Sequence, residues 1–438
     1  MKRWIILMIF AGSVKLPAET NSMVTTNQVA ITTEFLADLG RELREKQPAV
    51  AAARARVEAA LAHAESIRTW EDPTLRSGVM AAGPSRTRAD DGDFILGIEQ
   101  KLPLFKKPQL ARKVALTGRD LREAEAERIT KLLGRELADR VYAAAFADSR
   151  VALLRQDLAW TETLAATMEV QFALGKVTQP ELLRVQAERA RRAEELVIAA
   201  QHRNHGRVEI NRILNRPFHD VWPLLNMPPL FDELVDLKGL TDVALKFEPS
   251  LKVLNREAAV AHAEVAQVRV ARKPNVTVGI DGRSRIETGE FRTATVYLNV
   301  NLPWWNRDKY AKDIDRAQAQ ARAVDLEVDT ERLHVAEEIH FLVTEIDASR
   351  RTATVHRDEV IPRVEQALVS ARNAWETGKG VFRDVLDARR MLVESQLAYA
   401  SAVTEQQRHL ITLALCCGIP SLDELRKFTR NPIKETQP

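Results

Sequence analysis

Apolar residues recur at spacings of three and four over long stretches of the chain, and this spacing predicts α-helices. One predicted helix covers 108–174, where 67 residues would extend about 100 Å. Its last part has the clearest spacing, in Val151, Leu154, Leu158, Thr161, Ala165, Met168 and Phe172. A glycine ends this helix and a second helical pattern returns to 215, so the sequence predicts a long antiparallel helical hairpin over 108–215.

A different periodicity lies upstream of the second hairpin. Apolar and polar residues alternate over 275–281 and again over 295–301, which is typical of half-buried strands. We therefore predict strands at about 275–283 and 293–301, followed by a hairpin over 308–417. The first half has a weaker version, with predicted strands at about 74–82 and 93–101. Pro362 lies inside the second hairpin and should kink or break its first helix.

The whole pattern occurs twice, about 200 residues apart. Five pairs of residues have nearly the same separation along the chain: Pro48 and Pro249, Pro73 and Pro274, Leu102 and Leu302, Gly175 and Gly378, and Pro217 and Pro420. The sequence therefore predicts two structural repeats, 19–217 and 241–420. Each has a short helix, two strands and a hairpin, in a mostly α, α+β fold. A Pro-rich linker over 218–240, expected to be irregular, joins them, and a tail over 421–438 follows.

Composition fits helices and export. Gly and Pro are few, 17 and 18, and aromatic residues make up 5%. Residues 1–18 begin with two basic residues, Lys2 and Arg3, followed by an apolar run and, after Lys15, by Leu16-Pro17-Ala18, which is typical of a secretory signal peptide. Its removal would take away three basic residues and bring the formal charge from +3 to zero. That balance argues against nucleic acid as a partner. Cys416 and Cys417 are adjacent and provide no disulfide framework.

The predicted strands need partners beyond one chain. Beyond the signal, no stretch reaches 18 consecutive apolar residues, so no transmembrane helix is expected. Four strands with one apolar and one polar face cannot close a barrel, and open edges are not tolerated in lipid. Two chains would give eight strands with a filled interior, and three would give twelve strands around a water-filled lumen. The polar inner face favours three, although a soluble hairpin sheet on a coiled-coil scaffold is the alternative.

Short motifs at matched positions identify a family. They are Gln100 to Phe105, Asn301 to Arg307, Leu174 to Val177 with Glu181 to Leu183, and Trp375 to Lys379 with Asp384 to Ala388. In their order and duplication, from about residue 30 to residue 420, the chain resembles the TolC-like outer-membrane efflux proteins. The resemblance implies a homotrimer, with a twelve-stranded barrel in outer-membrane lipid and a helical tunnel in the periplasm. It also implies a passive channel, coupled through a periplasmic adaptor, the membrane fusion protein, to an inner-membrane pump.

The resemblance also implies site residues. Asp384 and Asp387 match the family's acidic pair near the periplasmic entrance of the tunnel. At positions i and i+3 they share a helix face, so three chains would place six carboxylates around one opening. Asp at the start of a helix is also ordinary, because it complements the helix dipole. The first-repeat counterparts, Glu181 and Arg184, depart from the acidic pattern. In some relatives an arginine two residues after the second tip glycine holds the tunnel closed. Here that position is Gly380, so those closing bonds cannot be transferred to this chain.

The resemblance places adaptor docking at the hairpin tips. The first tip is Leu174, Gly175, Lys176 and Val177, and the second is Thr377, Gly378, Lys379 and Gly380. Ordinary turn chemistry, with glycine in a left-handed cap, would explain the same residues. The strand-to-helix turns are Leu102, Pro103 and Phe105, and Leu302, Pro303, Trp304 and Trp305. The two tryptophans could anchor at a membrane surface or pack at the junction, and we favour packing.

Catalysis and metal binding have little support in the sequence. It contains no nucleophile elbow, phosphate loop or zinc motif, and we expect neither an enzyme nor a cofactor. Glu337 and His340, and His202 and His205, have ligand-like spacing, but no complete ligand set can be assembled. The alternative function is a soluble periplasmic scaffold or adaptor without a membrane barrel. The exported cargo, metal cations or small toxic compounds, stays open, with a slight preference for the heavy-metal branch.

Overall fold

The computed structural model describes residues 28–80, 92–235, 237, 239–419 and 429–430. The predicted signal peptide, the end of the first predicted strand at 81–82, Pro420 and most of the predicted tail lie outside the described residues. The first half of the chain contains, in order, β1 (Gln28–Ala30), α1 (Thr33–Lys46), α2 (Pro48–Ser66), β2 (Thr74–Met80), β3 (Asp93–Lys101), α3 (Lys107–Ala173) and α4 (Gln179–Ile213).

The second half follows the same plan after a connecting segment. The connection contains β4 (Leu224–Asn226) and β5 (Leu234–Val235). After it come α5 (Leu240–Phe247), α6 (Pro249–Ala271), β6 (Val276–Arg285), β7 (Phe291–Val300), α7 (Arg307–Val355), α8 (Ile361–Glu376), α9 (Phe382–Cys416) and β8 (Thr429–Arg430). Helices α3 and α4 form one long hairpin, and α7, α8 and α9 form the other.

The connecting segment has two short strands, each paired with a distant part of the chain. Strand β4 pairs in parallel with β1, and β5 pairs antiparallel with β8. The buried amides of Gln406 and Gln407 on α9 also bind its backbone. Gln406 accepts a hydrogen bond from Phe231 N at 2.9 Å, and Gln407 donates one to Pro229 O at 3.0 Å. Outside β4 and β5 the described residues of the connecting segment form no helix or strand, and contacts with distant parts of the chain hold this irregular backbone in place.

The second hairpin changes helix type just before a proline. Residues His356–Val360 form a π-helical turn between α7 and α8, and Pro362 lies in the first turn of α8. Proline has no amide hydrogen and disturbs the turn before it, so its effect here is a change of helix type within a continuous helical backbone. The side chain of Arg357 lies 3.6 Å from Asp232 in the connecting segment, at the level of this turn.

Within the described residues, β2, β3, β6 and β7 form one antiparallel sheet in that order. Directly paired residues share a face, as Leu75 does with Ile98, and Ile280 with Val296. None of the described residues covers the apolar face, since Leu75 is 70% exposed and Val296 is 72% exposed. The opposite face has polar and charged side chains, including Arg76, Glu99, Asp281, Arg283, Thr295 and Tyr297.

Glycines make room for large side chains on the polar face of the sheet. A Cβ atom at Gly97 would lie 1.9 Å from Asp281 Oδ1, and one at Gly279 would lie 2.3 Å from the Tyr297 ring. Both side chains therefore lie flat across a neighbouring strand. Tyr297 donates a 3.4 Å hydrogen bond to Glu99 from this position.

The helical part has two main apolar clusters, one in each repeat. The first surrounds Tyr142 and Ile210 and includes Trp222 from the connecting segment. Trp222 Nε1 donates a 2.6 Å hydrogen bond to the buried Asn211. The second cluster surrounds Ile339 and Leu410 and includes both cysteines, which are free and buried. Burial raises the pKa of the Cys417 thiol to about 12, so the thiol is protonated and unreactive.

Candidate functional site: hairpin tips and sheet-to-helix junctions

The two hairpin tips have the same backbone design. Gly175 has φ +70° and Gly378 has φ +73°, in the left-handed region that favours glycine. The amide of Lys176 donates to Gln171 O at 2.9 Å, and the amide of Lys379 donates to Ala374 O at 2.8 Å. These bonds are the Schellman type of helix ending, which satisfies carbonyls that would otherwise lack a partner. The repeat therefore preserves the hydrogen bonding of the tips.

The tips differ in their space and exposure. No atom lies within 4 Å of a Cβ built at Gly175 or Gly378, whereas one at Gly380 would lie 2.8 Å from Ala374 Cβ. Gly380 is therefore required by close packing in the second tip. Leu174, Lys176, Thr377 and Lys379 are exposed, and Val177 is buried.

Both hairpins contribute to one apolar cluster behind the tips. Phe382 from the second hairpin is fully buried with Met168 and Val177 from the first. The ring of Trp375 lies 5.3 Å from that of Phe382. The two tips are therefore held side by side within one chain.

The candidate acidic pair lies directly behind the second tip. Asp384 and Asp387 are exposed on the first turns of α9. Asp387 accepts a 3.3 Å hydrogen bond from Arg383, while Asp384 has no ion-pair partner among the described residues. Their first-repeat counterparts behave differently. Glu181 closes a capping box with Thr178, accepting bonds of 2.9 Å from its amide and 2.6 Å from its hydroxyl.

The cap changes the electrostatics of the first tip. The hydrogen bonds from Thr178 lower the pKa of Glu181, with a smaller contribution from the exposed Arg184. In the second repeat Val381 occupies the cap position and has no side-chain acceptor or donor. Asp384 is therefore not part of a capping box, and its position in the first turn of α9 is also favourable for the helix dipole.

Sequence reasoning missed a buried ion-pair cluster farther along the hairpins. Asp157 on α3 is 1% exposed and accepts a 2.7 Å hydrogen bond from Arg389 on α9. Arg192 on α4 lies 3.0 Å from the same carboxylate and 2.9 Å from Glu188. Glu188 is also 3.7 Å from Arg390. The cluster therefore connects the first hairpin to the second.

A signal for this cluster is present in the sequence. Leu154, Asp157 and Thr161 are successive buried positions of α3, whereas Leu158 is only half-buried. The predicted apolar series had Leu158 in this place. The position of Asp157, three residues after the core residue Leu154, could have indicated a buried carboxylate. Its two arginine partners could not have been identified in this way, because they belong to other helices.

The strand-to-helix junctions lie at the end of the sheet from which the hairpins extend. Leu102 N donates to Val276 O at 2.8 Å, and Lys107 Nζ donates to Lys273 O at 2.5 Å and to Asn275 Oδ1 at 2.7 Å. These bonds bring the two junctions together. Phe105 and Lys106 both have φ +60°, an uncommon conformation for residues with side chains.

The prediction that the tryptophans pack at their junction was wrong for the single chain. Trp304 is 54% exposed and Trp305 is 82% exposed, while Pro303 is buried. Leu102 and Pro103 are half-buried, and Leu302 and Phe105 are exposed. Both indole rings are therefore largely exposed in the single chain, and Trp304 lines a concavity with Arg272 and Tyr310.

The described residues contain neither a metal-binding cluster nor a helix that could span a membrane. No group of three or more His, Cys, Asp or Glu side chains is placed to hold a metal ion there. The pairs Glu337 with His340, and His202 with His205, thus have no further ligands within that part of the chain. Among the described helices, each is too short or too polar for a transmembrane span.

Known proteins match this architecture over most of its length. A family model described as "Outer membrane efflux protein" matches residues 39–216 and 240–418. The cobalt-zinc-cadmium resistance protein CzcC of Cupriavidus metallidurans is 24% identical over 315 residues, covering 68% of this chain and 71% of that protein.

Solved structures have the same fold. The outer-membrane channel OprN superposes with a TM-score of 0.76 at 18% identity, covering 87% of this chain and 89% of that one. The CmeC outer membrane channel of Campylobacter jejuni gives 0.74 at 13% identity, covering 98% and 99%. The predicted resemblance is confirmed, and the soluble scaffold is not favoured.

The two matched segments coincide with the two helical repeats, each with its strand pair and hairpin. Members of this family are channel proteins that work with an adaptor and an inner-membrane pump. The chain belongs to the outer membrane efflux protein family, and it is an outer-membrane channel of a tripartite efflux system that extends into the periplasm.

Proposed function

We propose that three copies of the chain form a passive duct, with a twelve-stranded barrel in outer-membrane lipid. The supporting observation is the uncovered apolar face of the four-stranded sheet. Edge strands β2 and β7 have no partner on their outer sides in the described chain, and unpaired backbone groups are costly in lipid. Three sheets joined edge to edge would pair both edges and enclose the polar face.

The size of the sheet suits a membrane. Strand β6 has ten residues, which extend about 33 Å, comparable with a hydrocarbon core of about 30 Å. The polar face, with Arg76, Glu99, Asp281 and Thr295, would then face water in the lumen. The long helices of three chains would continue this lumen into the periplasm.

Mass measurement in detergent tests the trimer. The full chain has 49.3 kDa, so three copies without a signal peptide should give about 140 kDa. Cross-linking should give the same number of copies. A stable monomer would contradict the barrel, because four strands leave two edges open.

We propose that the two tips dock the periplasmic adaptor. Their exposed side chains, Leu174, Lys176, Thr377 and Lys379, lie on rigid Schellman turns over a shared apolar cluster. A rigid, partly apolar surface loses little conformational entropy on binding. Asp384 and Asp387 lie just behind the second tip, and in a trimer they would form an acidic ring that favours cations at the periplasmic mouth.

We propose metal cations as the cargo rather than small toxic compounds. The support is the similarity to CzcC, which is named as a cobalt-zinc-cadmium resistance protein. An acidic mouth would also suit cations. Deletion of the gene should lower the tolerated concentration of cobalt, zinc or cadmium and leave tolerance of organic toxicants unchanged. The reverse result would assign the channel to small toxic compounds.

A further inference from the structure

Basic residues concentrate at the sheet-to-helix junctions. Residues 101–113 contain five basic and no acidic residues, and residues 268–276 contain three basic and no acidic residues. Residues 301–312 contain three more with one aspartate, in a whole chain with a formal charge of only +3. The positive charge therefore collects at the level where the apolar sheet face ends.

Many of these cations are available to a partner. Lys106, Arg272, Lys273 and Arg307 are exposed and form no ion pair with a carboxylate in the part of the chain that the structure describes. Lys107 is used within the fold, since it donates to Lys273 O and Asn275 Oδ1. Exposed cations without counterions in one band indicate an anionic partner.

The exposed apolar surface lies in the same band. Trp304 and Trp305 follow β7 directly, and Phe105 follows β3 with 44% exposure. Lys273 Nζ lies 6.0 Å from the centre of the Phe105 ring. Rings and cations arranged together at the edge of an apolar surface match the headgroup level of a lipid layer.

A concavity combines these features. It has a volume of about 500 Å³ and lies between the end of α6 and the start of α7. Arg272 and Arg307 line it together with Trp304, Tyr310 and the carboxylate-bearing Asp308. Two guanidinium groups suit a phosphate diester, which they can bind with paired hydrogen bonds, and the rings suit the upper part of acyl chains.

We propose that this concavity binds the headgroup of an anionic phospholipid in the membrane leaflet that faces the periplasm. The proposal rests on the barrel proposed above, which places the junctions at that leaflet. Arg272 and Arg307 contact the phosphate, and Trp304 lies against the glycerol backbone. A lipid bound in this concavity would fix the depth of the sheet in the membrane.

Native mass spectrometry of the purified full-length channel tests this inference. Phosphatidylglycerol and phosphatidylcholine with the same acyl chains are titrated separately, and retained lipid is counted per oligomer. The wild type should retain phosphatidylglycerol about twenty-five-fold more strongly, given roughly a five-fold gain for each of the two arginines near an anionic surface. Arg272→Gln with Arg307→Gln should reduce this preference to less than about two-fold.

Two controls separate charge from folding. Arg322 and Arg332 are exposed on α7, about 22 and 37 Å along the helix from Arg307, so Arg322→Gln with Arg332→Gln should keep the preference. Arg272→Lys with Arg307→Lys keeps both charges and should retain most of it. Full preference in the double glutamine variant, or its loss in both controls, would overturn the lipid site.

The outcome also distinguishes the two proposals. A wild-type channel that floats with vesicles but prefers neither lipid would contradict the lipid site alone. A wild-type chain that does not associate with vesicles at all would contradict the barrel and, with it, the lipid site.

Discussion

The carboxylate of Asp157 on α3 accepts a 2.7 Å hydrogen bond from Arg389 on α9, which connects the two helical hairpins through a buried ion pair. Arg192 Nε on α4 lies 3.0 Å from the other oxygen of the same carboxylate, Asp157 Oδ2. Arg389 also lies over the ring of Trp160, with 5.0 Å between guanidinium carbon and ring centre. One carboxylate therefore orients three helices.

Asp157→Ala should destabilise the channel by about 3 kcal/mol, because it leaves the arginine of a buried pair without its main partner. Arg192 is 7% exposed, and in this variant its remaining carboxylate partners would be Glu188 and Glu195. Chemical unfolding at fixed protein concentration measures the change. The double variant with Arg389→Ala should lose less stability than the two single changes added together.

Asp387→Asn is the matched control, because Asp387 pairs with Arg383 on an exposed surface. Such pairs contribute less than about 1 kcal/mol. Equal losses from Asp157→Ala and Asp387→Asn would show that the buried cluster does not hold the hairpins together.

Gly175→Val and Gly378→Val should abolish efflux while the oligomer persists. A residue with a side chain at positive φ costs about 1 kcal/mol or more and redirects the turn. Efflux assays and detergent mass measurement separate the two effects. Normal efflux in both variants would remove the tips from the adaptor interface. Gly206→Val on α4 offers a control, since no atom lies within 4 Å of its Cβ and its φ is not positive.

Asp384→Asn with Asp387→Asn should reduce cation preference in single-channel recordings, because the proposed ring would lose six carboxylates. Block by multivalent cations should weaken as well. The measurement is the reversal potential in a salt gradient. Glu181→Gln is the comparison in the first repeat, where the carboxylate already caps its helix through Thr178. An unchanged reversal potential and unchanged divalent block in the double variant would place the pair away from the mouth.

We expect the free energy of unfolding to decrease as the pH drops below about 4.5, because Glu42 has a lowered pKa in the folded chain. Hydrogen bonds from Arg216, of 2.9 and 2.5 Å, lower the pKa of this carboxyl from its ordinary 4.5 to about 2. A depressed folded-state pKa adds stability above the unfolded value, and that stability is lost as pH falls from 4.5 towards 2. Melting temperatures across this range should change less steeply in Glu42→Gln. Glu45→Gln, an exposed change on the same helix, should follow the wild type.

Local pattern predicted much of the fold. The expected alternation lies on β6 and β7, and the expected glycines end α3 and α8. These features depend on neighbours within a few residues, since periodicity and left-handed caps are local properties of the backbone. The strict spacing of the duplicated anchors also indicated that both halves share one plan, and the short motifs identified the family.

Other features depended on pairs far apart in sequence. The connecting segment is held by β1, by β8 and by two glutamines of α9, and no local sequence pattern identifies these distant partners. The exposure of Trp305, at 82%, depends on which residues pack against the turn after β7, and these residues are not its sequence neighbours.

By itself, then, the sequence determined the helices, the strands, the repeat and the family, because each is encoded in spacing. Only the tertiary structure decided that Asp157 meets Arg389, 232 residues away, and that Arg272 and Arg307 line one concavity. The physical reason is that the strength of an ion pair depends on distance and burial, and both are set by how helices pack rather than by their order along the chain.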